Sequence, residues 1–143
     1  MIEREVKPEL SYWEQNPQLK SRMHNVITMA YQTNNKILGK INSAFGEYPL
    51  VRIEMADRRG IFKEMPAKYI NIMMDIYFSK EELTLNEIAE RNGLNNHQRV
   101  QQINERIKKN LAIVRNRNLK YLDAEFQPLY QEEAQYEENR QKM

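Results

Sequence analysis

The sequence predicts an all-α fold, and three observations predict it. Its 143 residues include only four glycines and five prolines, so long helices can run uninterrupted and a strand-rich fold is not expected. Apolar residues recur at helical spacing in three stretches, over residues 19–45, 69–77 and 100–111. Helix-starting residues stand at the edges of helical stretches: Asn16 before Pro17, then Pro66, then Thr84 three residues ahead of Glu87. An apolar share of 41% suits a modest core, and the length suits one domain with an extension.

Each element follows in turn. Residues 1–16 read as a loose arm or short helix anchored by Tyr12 and Trp13. Asn16 as cap and Pro17 as first residue start a long helix with the stripe Leu19, Met23, Val26, Ile27, Ala30, Ile37, Leu38, Ile41 and Phe45, ending at Gly46. Gln32 to Asn35 form a polar step and Gly39 weakens the helix, so one helix or two fit equally. The stripe needs cover, from the rest of the chain or from a second copy. YPLVRIEM, Tyr48 to Met55, alternates as an edge strand or loop would, Pro49 excluding a central strand. ADRRG reads as a polar turn. Pro66 opens a helix burying Tyr69, Ile70, Met73, Met74 and Tyr77, with Phe78 and Leu83 closing its junction with the next.

Thr84 to Leu111, TLNEIAERNGLNNHQRVQQINERIKKNL, has the form of a helix-turn-helix. Thr84 and Glu87 are spaced as a capping box. Gly93 stands where the chain turns sharply, Leu94 plugs the turn, and Asn95 or Asn96 caps the second helix. Val100, Ile103, Ile107 and Leu111 then face inward, leaving His97, Gln98, Gln101, Gln102, Glu105 and Lys109 outward. That is one apolar side for a core and one hydrogen-bonding side for a DNA groove. The helix is expected to run on to about Asp123 and break at Pro128, before a Gln- and Glu-rich tail that is a short surface helix or disordered. The resulting division is a helical arm with a possible oligomerisation segment over 1–60, the helix-turn-helix over 61–123 and an acidic polar tail over 124–143.

Charge sharpens the picture. Residues 91–120 hold eight cations against Glu105 alone, a net +7, while 123–142 hold six acids against two cations, a net −4. A basic block on the second helix suits phosphate contact; a merely solvated helix face is the plainer alternative. There is no cysteine, and the two histidines, His24 and His97, are far apart, so neither disulfides nor a His/Cys metal site is expected. The eight methionines read as core filler, His24 as a packing residue, and Glu81 and Glu82 as first-turn acids rather than a catalytic pair. No phosphate-cradling glycine loop or nucleophile elbow is present, so neither an enzyme nor a cofactor is expected. No apolar run spans a bilayer and no signal-peptide core opens the chain, so a cytoplasmic protein without membrane contact is expected.

The segment Met65 to Leu111 resembles region 4, the promoter-reading C-terminal domain of bacterial sigma factors. MPAKYINIMMDIYF stands in the place of its first support helix, LTLNEIAERNGL in that of its scaffold helix, and QRVQQINERIKKNL in that of its recognition helix. The resemblance covers about one third of the chain. Size and helicity of the remainder resemble small phage and prophage late-transcription regulators, the ArpU-like proteins. The resemblance implies that His97, Gln98, Gln101 and Gln102 approach base edges while Arg99, Arg106, Lys108 and Lys109 contact phosphates, with Asn96 at the helix start. Glutamines stand where sigma factors often carry Arg or Glu, so the bases read differ. The expected function is a sequence-specific, double-stranded-DNA-binding transcriptional regulator, in the cytoplasm of a bacterial host, reading the major groove with residues 96–109. The alternatives are a small terminase subunit, whose helices would assemble rings, and a module docking on RNA polymerase through Gln32–Ile41 or the acidic tail.

Overall fold

The computed structural model describes residues 10–142, and within them the chain is helical with no strand. The opening arm over residues 1–9 lies outside the described residues. Tyr12–Gln15 (α1) is a single turn closed by a capping box between Ser11 and Glu14. Trp13 is buried against Phe62 and donates its indole N–H to Asp57 at 2.8 Å. The helix expected from Pro17 begins at Gln18, because Asn16 closes α1 by donating its amide to the Tyr12 carbonyl.

The long N-terminal segment is two helices, Gln18–Thr33 (α2) and Asn35–Phe45 (α3). Asn34 makes the break. Its backbone N–H closes α2 on the Ala30 carbonyl, and its side chain accepts from Ile37 N–H to start α3. Leu19, Met23, Ile27, Ala30, Leu38, Ile41 and Phe45 are all buried within the chain itself.

Tyr48 to Met55 departs from the extended reading. It lies in a helix, Pro49–Arg58 (α4), entered through Tyr48 in the left-handed region and with proline in the first turn. Leu50, Val51, Arg52, Ile53, Met55 and Ala56 are all buried. A helix enclosed on most sides shows no amphipathic stripe, so its short apolar run reads equally as a strand. The ADRRG turn is the end of α4, with Gly60 at φ +76° leading into Ile61–Glu64 (α5).

Ala67–Tyr77 (α6), Leu85–Arg91 (α7) and His97–Arg115 (α8) follow. Helix α8 packs on α3, α4, α6 and α7 and runs through the centre of the molecule. It stops at Arg115 rather than near Asp123. Two short 3-10 turns, Leu119–Tyr121 and Ala124–Phe126, carry the chain to Gln127–Gln141 (α9). Pro128, expected to break a helix, lies in the first turn of α9. The expected surface or disordered tail is this helix, docked on α2 and α4. No helix among the described residues is long and apolar enough to cross a membrane.

The tail docks through a carboxylate. Glu133, fully buried, accepts hydrogen bonds from Leu50 N–H (2.8 Å), Val51 N–H (2.9 Å) and the Tyr31 hydroxyl (2.8 Å). It thereby caps the N-terminus of α4, where the helix dipole favours an acid. The stacked pairs Tyr48–Tyr130 and Tyr31–Tyr136 add α9 contacts with the Tyr48 turn and with α2. From the same α4, the Arg52 guanidinium donates to the Val114 and Arg117 carbonyls, the latter at 2.9 Å, and to the Glu47 carbonyl. It closes the C-terminus of α8. Gly46, at φ +97°, lets the chain pass this group: a Cβ there would lie 2.8 Å from Arg52 Nε and 3.0 Å from the Arg115 carbonyl oxygen.

Two predictions follow from this packing. Burial outweighs the three donors and raises the Glu133 pKa from the ordinary 4.5 to about 7. The folded state therefore holds a proton that the unfolded chain has released, and stability from this group falls as pH rises from 4.5 to 7, by up to about 3 kcal/mol. Half-buried His24, whose pKa is lowered by desolvation, acts in the opposite sense, so the difference between wild type and Glu133→Gln isolates the carboxyl. Urea unfolding across this range should show that Glu133→Gln removes the fall; an unchanged pH profile would refute the assignment. Gly46→Ala should cost about 1–3 kcal/mol in the same assay, from positive φ and the crowded Arg52.

Candidate nucleic-acid interface

The candidate interface is the outer face of the first three turns of α8, and local chemistry holds it in place. The capping box at α7 forms: Glu87 N–H donates to the Thr84 hydroxyl, and Thr84 N–H to the Glu87 carboxylate, each at 3.1 Å. Ile88 and Ala89 are buried, whereas Leu85 is 37% exposed. At the turn, Gly93 has φ +67°, and Leu94 N–H returns to the Ala89 carbonyl at 2.8 Å. Asn92 ties the turn to α6 by donating to Asp75 at 2.9 Å. Asn96 rather than Asn95 is the cap, its side chain accepting from Arg99 N–H at 3.1 Å.

The inward set of α8 is Val100, Ile103, Ile107, Leu111 and Val114, each fully buried. At about 100° per residue this places the opposite face in solvent. There His97, Gln98, Arg99, Gln101, Gln102, Arg106 and Lys109 are all exposed, as is Glu105 among them. Two of the cations are oriented by neighbours. Arg99 donates to the Gln102 amide oxygen at 3.2 Å, one turn away, and Arg106 donates to the Tyr69 hydroxyl of α6 at 3.0 Å. Tyr69 was legible only as a core residue of α6, since its contact with Arg106 spans 37 positions.

Lys108 separates from this group. It is half-buried on the flank of α8 and lines a groove with Lys40 and Ser43 of α3. Asn104, on the same flank, accepts from the Tyr77 hydroxyl at 2.6 Å. Burial pushes the Tyr77 pKa up to about 12, so the phenol is a hydrogen-bond donor at ordinary pH.

The basic segment from Arg91 to Lys120 does not fall on one surface. Arg91 pairs with Asp75, and Arg115 donates to the Ala44 and Lys108 carbonyls. Arg117 lies with Arg58 and Arg59 beside a second cleft of about 200 Å³, where Arg58 pairs with Glu125 at 3.0 Å. Arg99, Arg106 and Lys109 remain on the outer face of α8, with no acidic partner within 4 Å among the described residues. Glu81 and Glu82, expected as first-turn acids, precede the Thr84 cap of α7 and lie outside the helix, where Glu82 pairs with Lys36 at 3.7 Å. Among the described residues no three His, Cys, Asp or Glu side chains converge in a way that would hold a metal ion.

Comparison of the chain with protein-family models, with curated proteins and with solved structures returns no match.

The cap gives a direct test of how this face is held. Asn96→Ala should destabilise the protein by about 1 kcal/mol, whereas Asn96→Asp, which keeps the acceptor, should be near neutral. Urea titration of both variants reads the difference, and equal losses would remove the capping role.

Proposed function

We propose that the protein is a sequence-specific DNA-binding transcriptional regulator that reads the major groove with residues 96–109. The observation that carries the reading is the two-sided character of α8. Val100, Ile103 and Ile107 are fully buried, while His97, Gln98, Gln101, Gln102, Arg99, Arg106 and Lys109 are all in solvent. An amide-rich strip flanked by cations offers base-edge donors and acceptors together with phosphate contacts. The short α7, the Gly93 turn and the Asn96 cap support a helix-turn-helix reading of this pair. The regulatory role, of the kind phages and prophages use, rests on the resemblance of Met65–Leu111 to sigma region 4.

Gln102 is the strongest base-reading residue, because a glutamine amide pairs bidentately with adenine. Its oxygen accepts from Arg99 in the free protein, so docking exchanges that bond for one to the base and releases Arg99 toward the backbone. The packaging alternative requires helical faces free to build a ring. The α2 stripe expected to supply one is covered by α3, α4 and α9, and no other observation favours that reading.

Selection of bound duplexes from a random pool should enrich one motif. On that motif Gln102→Ala should cost about 1–3 kcal/mol and relax preference at one position. Lys109→Ala should instead weaken binding to all sequences and reduce the slope of log affinity against log salt by about one. Failure to enrich any motif would remove base reading from α8.

A further inference from the structure

Beside the outer face of α8 lies a groove of about 450 Å³, formed by α3, the α6–α7 junction and α8. Its polar lining includes Lys40 from α3 and Gln101, Asn104 and Lys108 from α8. The α6–α7 junction contributes Ile76, Leu83 and Leu85, with Thr84 between the two leucines. No carboxylate lines it. Of the acids adjacent in sequence to its lining, Glu82 pairs with Lys36 at 3.7 Å, Glu87 closes the α7 capping box and Asp75 binds Arg91 and Asn92, while Glu105, next to Asn104, is exposed on the outer side of α8. Asn104 offers its NH2, because its oxygen accepts from Tyr77. The groove thus combines two ammonium groups and an amide donor with hydrocarbon from the α6–α7 junction. Neither lysine has a carboxylate within 4 Å among the described residues.

We infer that this groove seats the sugar–phosphate backbone of one DNA strand, with Lys40 and Lys108 on a phosphate and Leu83 and Leu85 against deoxyribose. The inference rests on the DNA-reading role of α8 and extends the contact to α3, in the N-terminal half of the chain. A nucleic-acid backbone alternates anionic phosphate with apolar sugar, which matches the mixed lining. Gln101 lies both on this groove and on the outer face, so a duplex docked on α8 runs its backbone past Lys40. These contacts add affinity and orientation without reading sequence.

The test uses the whole chain, fluorescence anisotropy, and two labelled duplexes, the enriched motif and a scrambled one, across a salt series. Lys40 is exposed, so Lys40→Ala should leave the thermal melt unchanged. It should weaken both duplexes by the same factor and lower the salt slope by about 0.9, with Lys40→Arg restoring both. Lys40→Ala and Lys108→Ala together should lower the slope by about 1.8. Wild-type affinity and slope in Lys40→Ala, with the motif still preferred by wild type, would overturn the inference and leave the reading of α8 standing. A loss confined to the motif duplex would overturn it too, by marking Lys40 as a base reader. Failure of wild-type protein to bind either duplex would overturn the reading of α8 and this inference together.

Discussion

The structure depends on one buried chain of hydrogen bonds that passes through α4. At its N-terminus, Glu133 from α9 receives the Leu50 and Val51 N–H groups; from its first turns, Arg52 reaches the Val114 carbonyl at the end of α8 and the Arg117 carbonyl just beyond it. Burying either group without partners would cost several kcal/mol, and the hydrogen bonds at each offset part of that cost; at Glu133 burial still outweighs them. The two termini being capped, of α4 and of α8, would otherwise leave orphan donors and acceptors inside the protein. The position of α8 is thereby tied through α4 to Glu133, which lies more than 80 positions from the α4 amides it caps. Tyr31 joins the same carboxylate and brings α2 into the arrangement.

Helix α8 divides accordingly. Its C-terminal half is enclosed by α3 and α4, and Arg115 holds it to the end of α3 through the Ala44 carbonyl. Toward its N-terminal half the outer residues are in solvent, and α6 reaches it through the Tyr77–Asn104 and Tyr69–Arg106 hydrogen bonds. A candidate recognition surface on a helix anchored at its far end is rigid, and rigidity lowers the entropy lost on binding. The exposed ion pairs around it, such as Arg91–Asp75, contribute little to stability by themselves. What the surface carries is a pattern of donors and cations rather than a network.

Much of this face was legible beforehand because its determinants are local. The Thr84–Glu87 box, the turn at Gly93 and the Asn96 cap each act over three or four residues, and the apolar period of α8 repeats without interruption. The errors fall where long-range partners decide. YPLVRIEM looked extended because an enclosed helix has no polar face, and its start is made by Glu133, more than 80 positions away. The tail reads as a short surface helix or disordered chain; it is a helix, and its docking on the core is hidden in the sequence because its two buried residues, Glu133 and Glu137, are carboxylates. The charge of residues 91–120 looked like one patch because composition does not say which way an arginine points; Arg115 serves carbonyls and Arg117 a separate cleft.

By itself the sequence determined the all-helical class, the junctions of α6, α7 and α8, and which side of α8 meets solvent. These follow from backbone capping and hydrophobic period, forces that act between residues close along the chain. Only the tertiary structure decided that Tyr48 to Met55 is a helix, that the acidic tail closes the core, and that Lys40 of α3 stands beside Lys108 of α8. Those outcomes depend on buried polar groups finding partners far along the chain, and a buried charge settles where its hydrogen bonds can be completed.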